Sequence, residues 1–449
     1  MKFRYFLVFI LLVSSCQTVP RNPDTFIVQF HPDGQLFVGD LLSVEVIPIN
    51  NQNMEGKKVS LSVQGKELEL AEFSAAGVGQ REQATFWWAV DTSGLDPGKE
   101  VVTFSILPDG PTWEESIVLY PGKDNPTIGA VWESVSTDCC VLHYISGTDA
   151  ARDIGDLSKM VDDQAGDVEK ELNTEIDKPI DITLIPKLIG HGGFATNSIY
   201  VSYLDSNITG NITSQVIHHE MVHILDSSLG GNGQPAMMVE GLAVYLSHGH
   251  YKQENLLERA SNLLELDAYI PLSDLLTNFY GQQHEISYLE AGALIEYMVA
   301  EYGWDDYRDF YSEVDLAGEH GVSFEDGLNK VYGIDSSQLE NGFIELMQLE
   351  RKDETSKNDL KLTIELFDSL RLYQQKLNPS TYFVTAWLPD GASMREKGIV
   401  ADFLRSRNGL DEKLVEYLLR TSSRMISEKD YKHAEWIISF VNLLLAFHP

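Results

Sequence analysis

The chain has 449 residues, 43% hydrophobic and 22% charged, the balance of a globular protein with room for two or three domains rather than of a disordered one. Its formal net charge is −35, from 33 basic and 68 acidic residues. A surface so acidic repels nucleic acid and anionic lipid head groups, which argues against both as partners. Three cysteines are too few for a disulfide framework.

Taken in chain order, Lys2 and Arg4 form a basic start, and Tyr5 to Val13 is an apolar run too short to span a bilayer. Val13-Ser14-Ser15-Cys16 resembles a bacterial lipobox. Residues 1–15 therefore read as a lipoprotein signal peptide, with the lipid on the Cys16 thiol. The other reading is an ordinary secretory signal followed by an incidental cysteine. Residues 16–24 are polar and carry Pro20 and Pro23, a composition suited to a tether. No other stretch approaches transmembrane length without charges, so lipid would be the anchor of an extracytoplasmic protein.

From residue 25 to 121 the pattern is short strands separated by turns. Phe26–Phe30, Leu41–Ile47, Ala84–Val90 and Val101–Ile106 are strand-like, with Pro32-Asp33-Gly34 and Pro97-Gly98 among the turn signals. That spacing predicts an all-β sandwich of Ig-like kind, whose role as spacer, binding module or packing partner stays open.

Gly122 to Pro126 marks a boundary, and residues 126–350 read as one α+β domain. A strand is expected near Val141–Ile145, just after the adjacent pair Cys139-Cys140. Such a pair closes only a strained vicinal disulfide or contributes to the core. A long helix from Asp149 to about Leu172 and a strand at Ile180–Ile185 follow. His191–Asn197 then leads into a strand at Ser198–Tyr203.

The stretch Ser214 to Asp226 contains His219-Glu220-x-x-His223 and reads as a helix capped by Thr213, with Gly230-Gly231 beyond its end. A separation of four residues puts both imidazoles on one helical face, one turn apart. Two neutral imidazoles there can share one zinc ion at about 2.0–2.1 Å each. Glu220 lies beside that face, where its carboxylate reaches a water rather than the ion. Pro235 to Leu246 reads as a second helix with Pro235 in its first turn, and Glu240 is the lone carboxylate in its apolar run. Burying an unpaired carboxylate is expensive, and a metal removes that cost.

His219-Glu220-x-x-His223 followed by Glu240-Gly241-Leu242-Ala243-x-Tyr245 resembles the gluzincin group of metallopeptidases, specifically the peptidase MA-like catalytic domains. The resemblance implies a thermolysin-like domain, with His219, His223 and Glu240 as zinc ligands and Glu220 as general base. It covers roughly the middle half of the chain. Val244 departs from it, standing where many relatives place an acidic residue one turn after the ligand Glu. Orientation of His219 or His223 then falls to another group, with Asp226 as the candidate. In such folds the strand before the metal helix is the sheet edge that lines the cleft, which points to the Gly192–Tyr203 stretch. Exposed edge backbone there can pair with an extended peptide. His191, His218, His248 and His250 read as neighbours of the site rather than ligands.

Residues 253–350 are mostly helical in pattern. Tyr288 to Gly303 has a helical apolar stripe and a glycine stop, and resembles the helix of peptidase MA-like domains that begins with a tyrosine facing the zinc. By that resemblance Tyr288 donates a hydrogen bond to the oxyanion, with His284 as a rival donor and a core tyrosine as the bland reading. After a charged run at Arg351–Asp359, amphipathic helices at Leu362–Lys376, Met394–Arg407, Asp411–Ile426 and Lys429–Phe447 form a helical C-terminal region, 351–449.

The expectation is a multidomain α+β protein: an extracytoplasmic, lipid-anchored zinc peptidase acting on peptide or protein substrates. Endopeptidase is favoured over aminopeptidase, since no Gly-x-Met-Glu-Asn counterpart is present. The alternatives are an inactive surface binding protein on a peptidase-derived scaffold, or a structural zinc site, which would normally be closed by a fourth protein ligand.

Overall fold

The computed structural model describes residues 25–49, 54–75, 81–190, 192–205, 207–208, 212–230, 233–250, 252–315, 321–350, 353–382, 391–405 and 409–448. The signal peptide, Cys16, the tether and His191 lie outside the described residues. The chain divides into two compact units, one reaching Asp124 and the other running on from Asn125, which also takes in Pro32–Gly34.

The first unit is all β. Its strands are β1 (Phe26–His31), β2 (Leu36–Phe37), β3 (Leu41–Pro48), β4 (Lys58–Val63), β5 (Lys66–Glu72), β6 (Ala84–Asp91), β7 (Gly98–Leu107) and β8 (Thr112–Tyr120). They form two sheets, ordered β1-β3-β6 and β2-β8-β7-β4-β5. Alternation along the strands decides which side chains turn inward. In β8, Trp113, Ile117 and Leu119 are buried while Thr112, Glu114 and Val118 face water. Phe26 of the smaller sheet stacks on Trp113 of the larger at 5.1 Å, so the two apolar faces share one core.

The second unit is mixed. Its strands are β9 (Trp132–Ser136), β10 (Cys140–Ile145), β11 (Ile180–Ile185), β12 (Gly193–Ala195) and β13 (Ile199–Ser202), in the order β12-β13-β11-β10-β9. β10, β11 and β13 run parallel, and the flanking β9 and β12 are antiparallel. The strand directly before the helix that carries His219 and His223, β13, is therefore internal, and β12 stands at the end of the described order. Cys139 and Cys140 are joined as a vicinal disulfide at the start of β10.

The helices are α1 (Asp149–Leu172), α2 (Thr213–Leu225), α3 (Ala236–Leu246), α4 (Leu256–Glu265), α5 (Leu272–Asn278), α6 (His284–Tyr302), α7 (Trp304–Glu313), α8 (Phe324–Tyr332) and α9 (Ser336–Leu349). They are followed by α10 (Glu354–Lys376), α11 (Gly391–Glu396), α12 (Ala401–Leu404), α13 (Leu410–Ser427) and α14 (Tyr431–Ala446). α1 shows why such a long helix forms. Thr148 caps its first turn by accepting from Ala151 N, and Leu157, Val161, Ala165, Val168 and Leu172 repeat at three- and four-residue spacing on its buried face. α3 is apolar nearly all round, and α2, although it carries several polar side chains, is buried continuously from Gln215 to Val222, so both are core helices.

Three expectations shift. α2 is capped by Ile212 without a side-chain bond, and Thr213 is its first residue. α6 begins at His284, capped by Gln283, so Tyr288 stands more than a turn inside the helix rather than at its start. The helices beyond residue 351 belong to the same compact unit as residues 125–350. Leu360 of α10 lies in the core shared with α2, α3 and α6, Trp132 Nε1 donates to Ile399 O at 2.8 Å, and Arg395 donates to Thr183 Oγ1 of β11 at 2.9 Å.

Candidate metal centre

α2 lies against β12 and α3 against α2, and between them His219, His223 and Glu240 converge. His219 Nε2 is 3.1 Å from His223 Nε2. Glu240 Oε2 is 3.4 Å from the first imidazole nitrogen and 3.2 Å from the second. The two rings stand at 86° to one another, as two side chains do when they turn toward a common point from successive helical turns.

These donors fit a zinc ion. Tetrahedral ligands at 2.0–2.1 Å are about 3.3 Å apart, which is the size of this triangle. Three protein donors of His₂Glu type leave one position open, the catalytic rather than the structural pattern. Two buried polar atoms here, Glu220 Oε2 and His223 Nδ1, have no hydrogen-bond partner among the described residues. Polar atoms are left bare in this way around a site that something else completes.

The electrostatics are those of a closely coupled cluster. Against the burial that would raise it, Glu240 is held well below the usual carboxylate range by the charge of His223 and hydrogen bonds from both imidazoles. His219 is pushed down to about 4, chiefly by burial. Against burial, which would lower it, His223 rises to about 9 through the charge and hydrogen bond of Glu240 together with the charges of Glu220 and Asp226. Burial, with Glu240 adding, pushes Glu220 up to about 8 against the pull of His223.

Tyr280 was not singled out by sequence, yet its phenol donates to Glu240 Oε1 at 2.7 Å. It stands on a single 3₁₀ turn, Phe279–Gly281, between α5 and α6, where no periodic pattern marks it. Tyr288 is near but less direct, its ring 6.3 Å from that of His219. Burial, then the charge of Glu240, raises its phenol well above the ordinary value, so it is a neutral donor. His284, the rival donor, packs 4.5 Å from the Tyr288 ring. Asp226 does not hydrogen-bond His223; its Oδ2 accepts from Tyr311 at 2.7 Å, and it acts on His223 only through space. Val244 is fully buried and packs against α6. His218 bonds Gln164 and Glu171 at 3.1 and 2.9 Å, turned away from the cluster.

Gly193 of β12 passes so close over α2 that an added Cβ would sit 3.2 Å from Glu220 Cγ and 3.1 Å from Val216 Cγ1. The sheet edge thus runs directly beside the Glu220 side chain.

No family model matches the chain, and no curated protein matches it. Among solved structures it is distantly similar to an aminopeptidase N family protein from Idiomarina loihiensis. That alignment has 12% sequence identity, covers 73% of this chain and 76% of the other, and has a TM-score of 0.29.

Proposed function

We propose that the chain is a zinc-dependent peptidase of gluzincin type, with an Ig-like β-sandwich before its metallopeptidase domain and a lipid on Cys16 anchoring it outside the cytoplasm. The observation that carries this reading is the His219–His223–Glu240 triangle with a buried, partly unpartnered Glu220 beside it. His219, His223 and Glu240 would hold the zinc ion, which would supply Lewis acidity toward the scissile carbonyl and toward water. Glu220 takes the proton of the attacking water and hands it to the leaving amine. Tyr288, a neutral phenol, donates to the oxyanion as it forms. Tyr280 holds Glu240 in place through its 2.7 Å hydrogen bond.

β12 stands at one end of the described sheet order and passes beside the Glu220 side chain, so a peptide extended along it has its scissile bond at Glu220. A substrate bound along a sheet edge continues in both directions, which supports an endopeptidase. The two facing sheets of the first unit support the Ig-like assignment. No helix among the described residues is long and apolar enough to cross a membrane. Hydrolysis of a mixed peptide library by the zinc-loaded full chain, compared with Glu220→Gln, tests the reading. Cleavage lost with zinc retained is the expected result; a variant with undiminished activity would sink the assignment.

A further inference from the structure

We propose that His250, His284 and Glu285 form a second metal site that binds Zn²⁺, separate from the triangle of His219, His223 and Glu240. The proposal stands on its own residues and does not depend on the chain being a peptidase. One donor atom from each of the three side chains lies within 4.8 Å of the other two. His250 Nδ1 is 3.3 and 3.4 Å from the two Glu285 carboxylate oxygens, and the His250 and His284 rings are 4.8 Å apart.

The donors are fixed by the fold. His250 lies in the loop between α3 and α4, next to His248 with φ +58° and Gly249 with φ +140°. A side chain at Gly249 would run into the backbone carbonyl of Lys252, so the turn requires glycine. The loop is tied down by Gln215 Nε2 to Ser247 O at 3.2 Å, Ser247 Oγ to Gly249 O at 3.0 Å and Glu254 N to His248 O at 2.9 Å. Left-handed backbone at a non-glycine residue costs energy, and such strain gathers where a side chain must be aimed. His284 and Glu285 open α6, held by the Gln283 cap.

Two features call for a ligand. The Glu285 side chain is only 3% exposed, and its Oε1 has His250 Nδ1 beside it at 3.3 Å but no contact of hydrogen-bond geometry among the described residues. A buried carboxylate with one oxygen outside any hydrogen bond is costly; Arg259 and Arg371 act on it through space, and a cation held directly by it lowers the cost further. The His284 ring likewise makes no hydrogen bond to a described residue, so its nitrogen lone pair is available. Two imidazoles and a carboxylate are a zinc donor set. The site is distinct from the first: the nearest rings, His219 and His250, are 6.2 Å apart. Tyr288 stacks on His250 at 4.3 Å, so an ion there would also fix the surroundings of that phenol.

The test is zinc per chain, by mass spectrometry of the full chain equilibrated with Zn²⁺ and freed of excess by gel filtration. Two ions are expected in the wild type, one in His284→Ala, one in Glu285→Gln and one in His223→Ala. A Co²⁺-loaded wild type should give visible absorption that falls by about half in Glu285→Gln. A wild type holding one ion that His284→Ala and Glu285→Gln leave in place would overturn the proposal and leave His250–Glu285 a hydrogen-bonded pair. If a variant fails to fold by circular dichroism, the wild-type count decides. One ion lost in His284→Ala but kept in His223→Ala would uphold this site and defeat the peptidase reading instead.

Discussion

Two glycines lock the helix that carries Glu240 to the helix that carries Tyr288, and Gly292→Ala tests how tightly. A Cβ on Gly292 would lie 2.9 Å from Val244 Cβ, nearer still to one of its methyls, and 3.4 Å from Leu256 Cδ1. From the other side, a Cβ on Gly241 would meet Ala291 O at 2.9 Å. Alanine in mid-helix gains about 1 kcal/mol of propensity over glycine. Overpacking a full core costs about 1–3 kcal/mol. Val244 is β-branched and holds one rotamer in a helix, so it cannot turn away, and the clash outweighs the propensity. The net expectation is about 1 kcal/mol of destabilisation. The helices also part by a few tenths of an ångström, which a triangle 3.1–3.4 Å on a side does not absorb. Zinc binding should then weaken about tenfold, or about 1.4 kcal/mol. Urea unfolding by circular dichroism and zinc competition with a chromophoric chelator measure the two effects. Gly166→Ala in α1 is the internal control, since a Cβ there meets nothing within 4 Å, and it should stabilise by up to about 1 kcal/mol. Gly292→Ala behaving like Gly166→Ala, more stable with unchanged zinc affinity, would refute the reasoning.

Tyr280→Phe removes the hydrogen bond to Glu240 while leaving the core intact, since Tyr280 is 61% exposed. A charge-assisted bond of about 1.5–3 kcal/mol, discounted for that exposure, gives roughly fivefold to tenfold weaker zinc binding with an unchanged melting curve for the zinc-free protein; equal zinc affinity would mean Tyr280 is a bystander. Glu290 is buried, accepts from Ile270 N at 3.0 Å and leaves Oε1 unpartnered, and burial raises it well above the ordinary value of 4.5. The folded state therefore binds this proton more tightly than the unfolded chain. That contribution is fully present below about pH 4.5 and is lost as pH climbs toward the raised value, by up to about 1.4 kcal/mol per pH unit. Glu290→Gln should flatten the decline of stability with rising pH, and superimposable slopes for the two proteins would contradict the burial argument. Removing metal with a chelator should lower stability by roughly 3 kcal/mol for each ion bound, relative to protein in zinc at a hundredfold excess over the dissociation constant; an unchanged unfolding midpoint would mean no ion binds the native state selectively.

Much of this was legible in the sequence, for reasons that are local. The four-residue spacing of His219 and His223 is a statement about one helical turn, and Glu240 stood out because a carboxylate in an apolar helix needs a partner. α1 and β11 were bounded by their own periodicity. What the sequence hid is long-range. Tyr280 reaches Glu240 across 40 residues from a single 3₁₀ turn. The seating of the C-terminal helices on the sheet depends on Arg395 with Thr183 and Trp132 with Ile399, 212 and 267 residues apart. No spacing encodes such pairs. The edge position of β12 rather than β13 was equally hidden, because three residues carry too little pattern to register as a strand.

The central claim is that His219, His223 and Glu240 hold a zinc ion that this chain uses to hydrolyse peptides. The most direct test measures zinc content and peptide-library cleavage in the same preparations of wild type and His223→Ala, each with and without chelator. The account predicts that His223→Ala holds one ion fewer than the wild type and cleaves nothing, and that chelator silences the wild type until zinc is restored. Cleavage persisting in His223→Ala, or in wild type stripped of zinc, would contradict it.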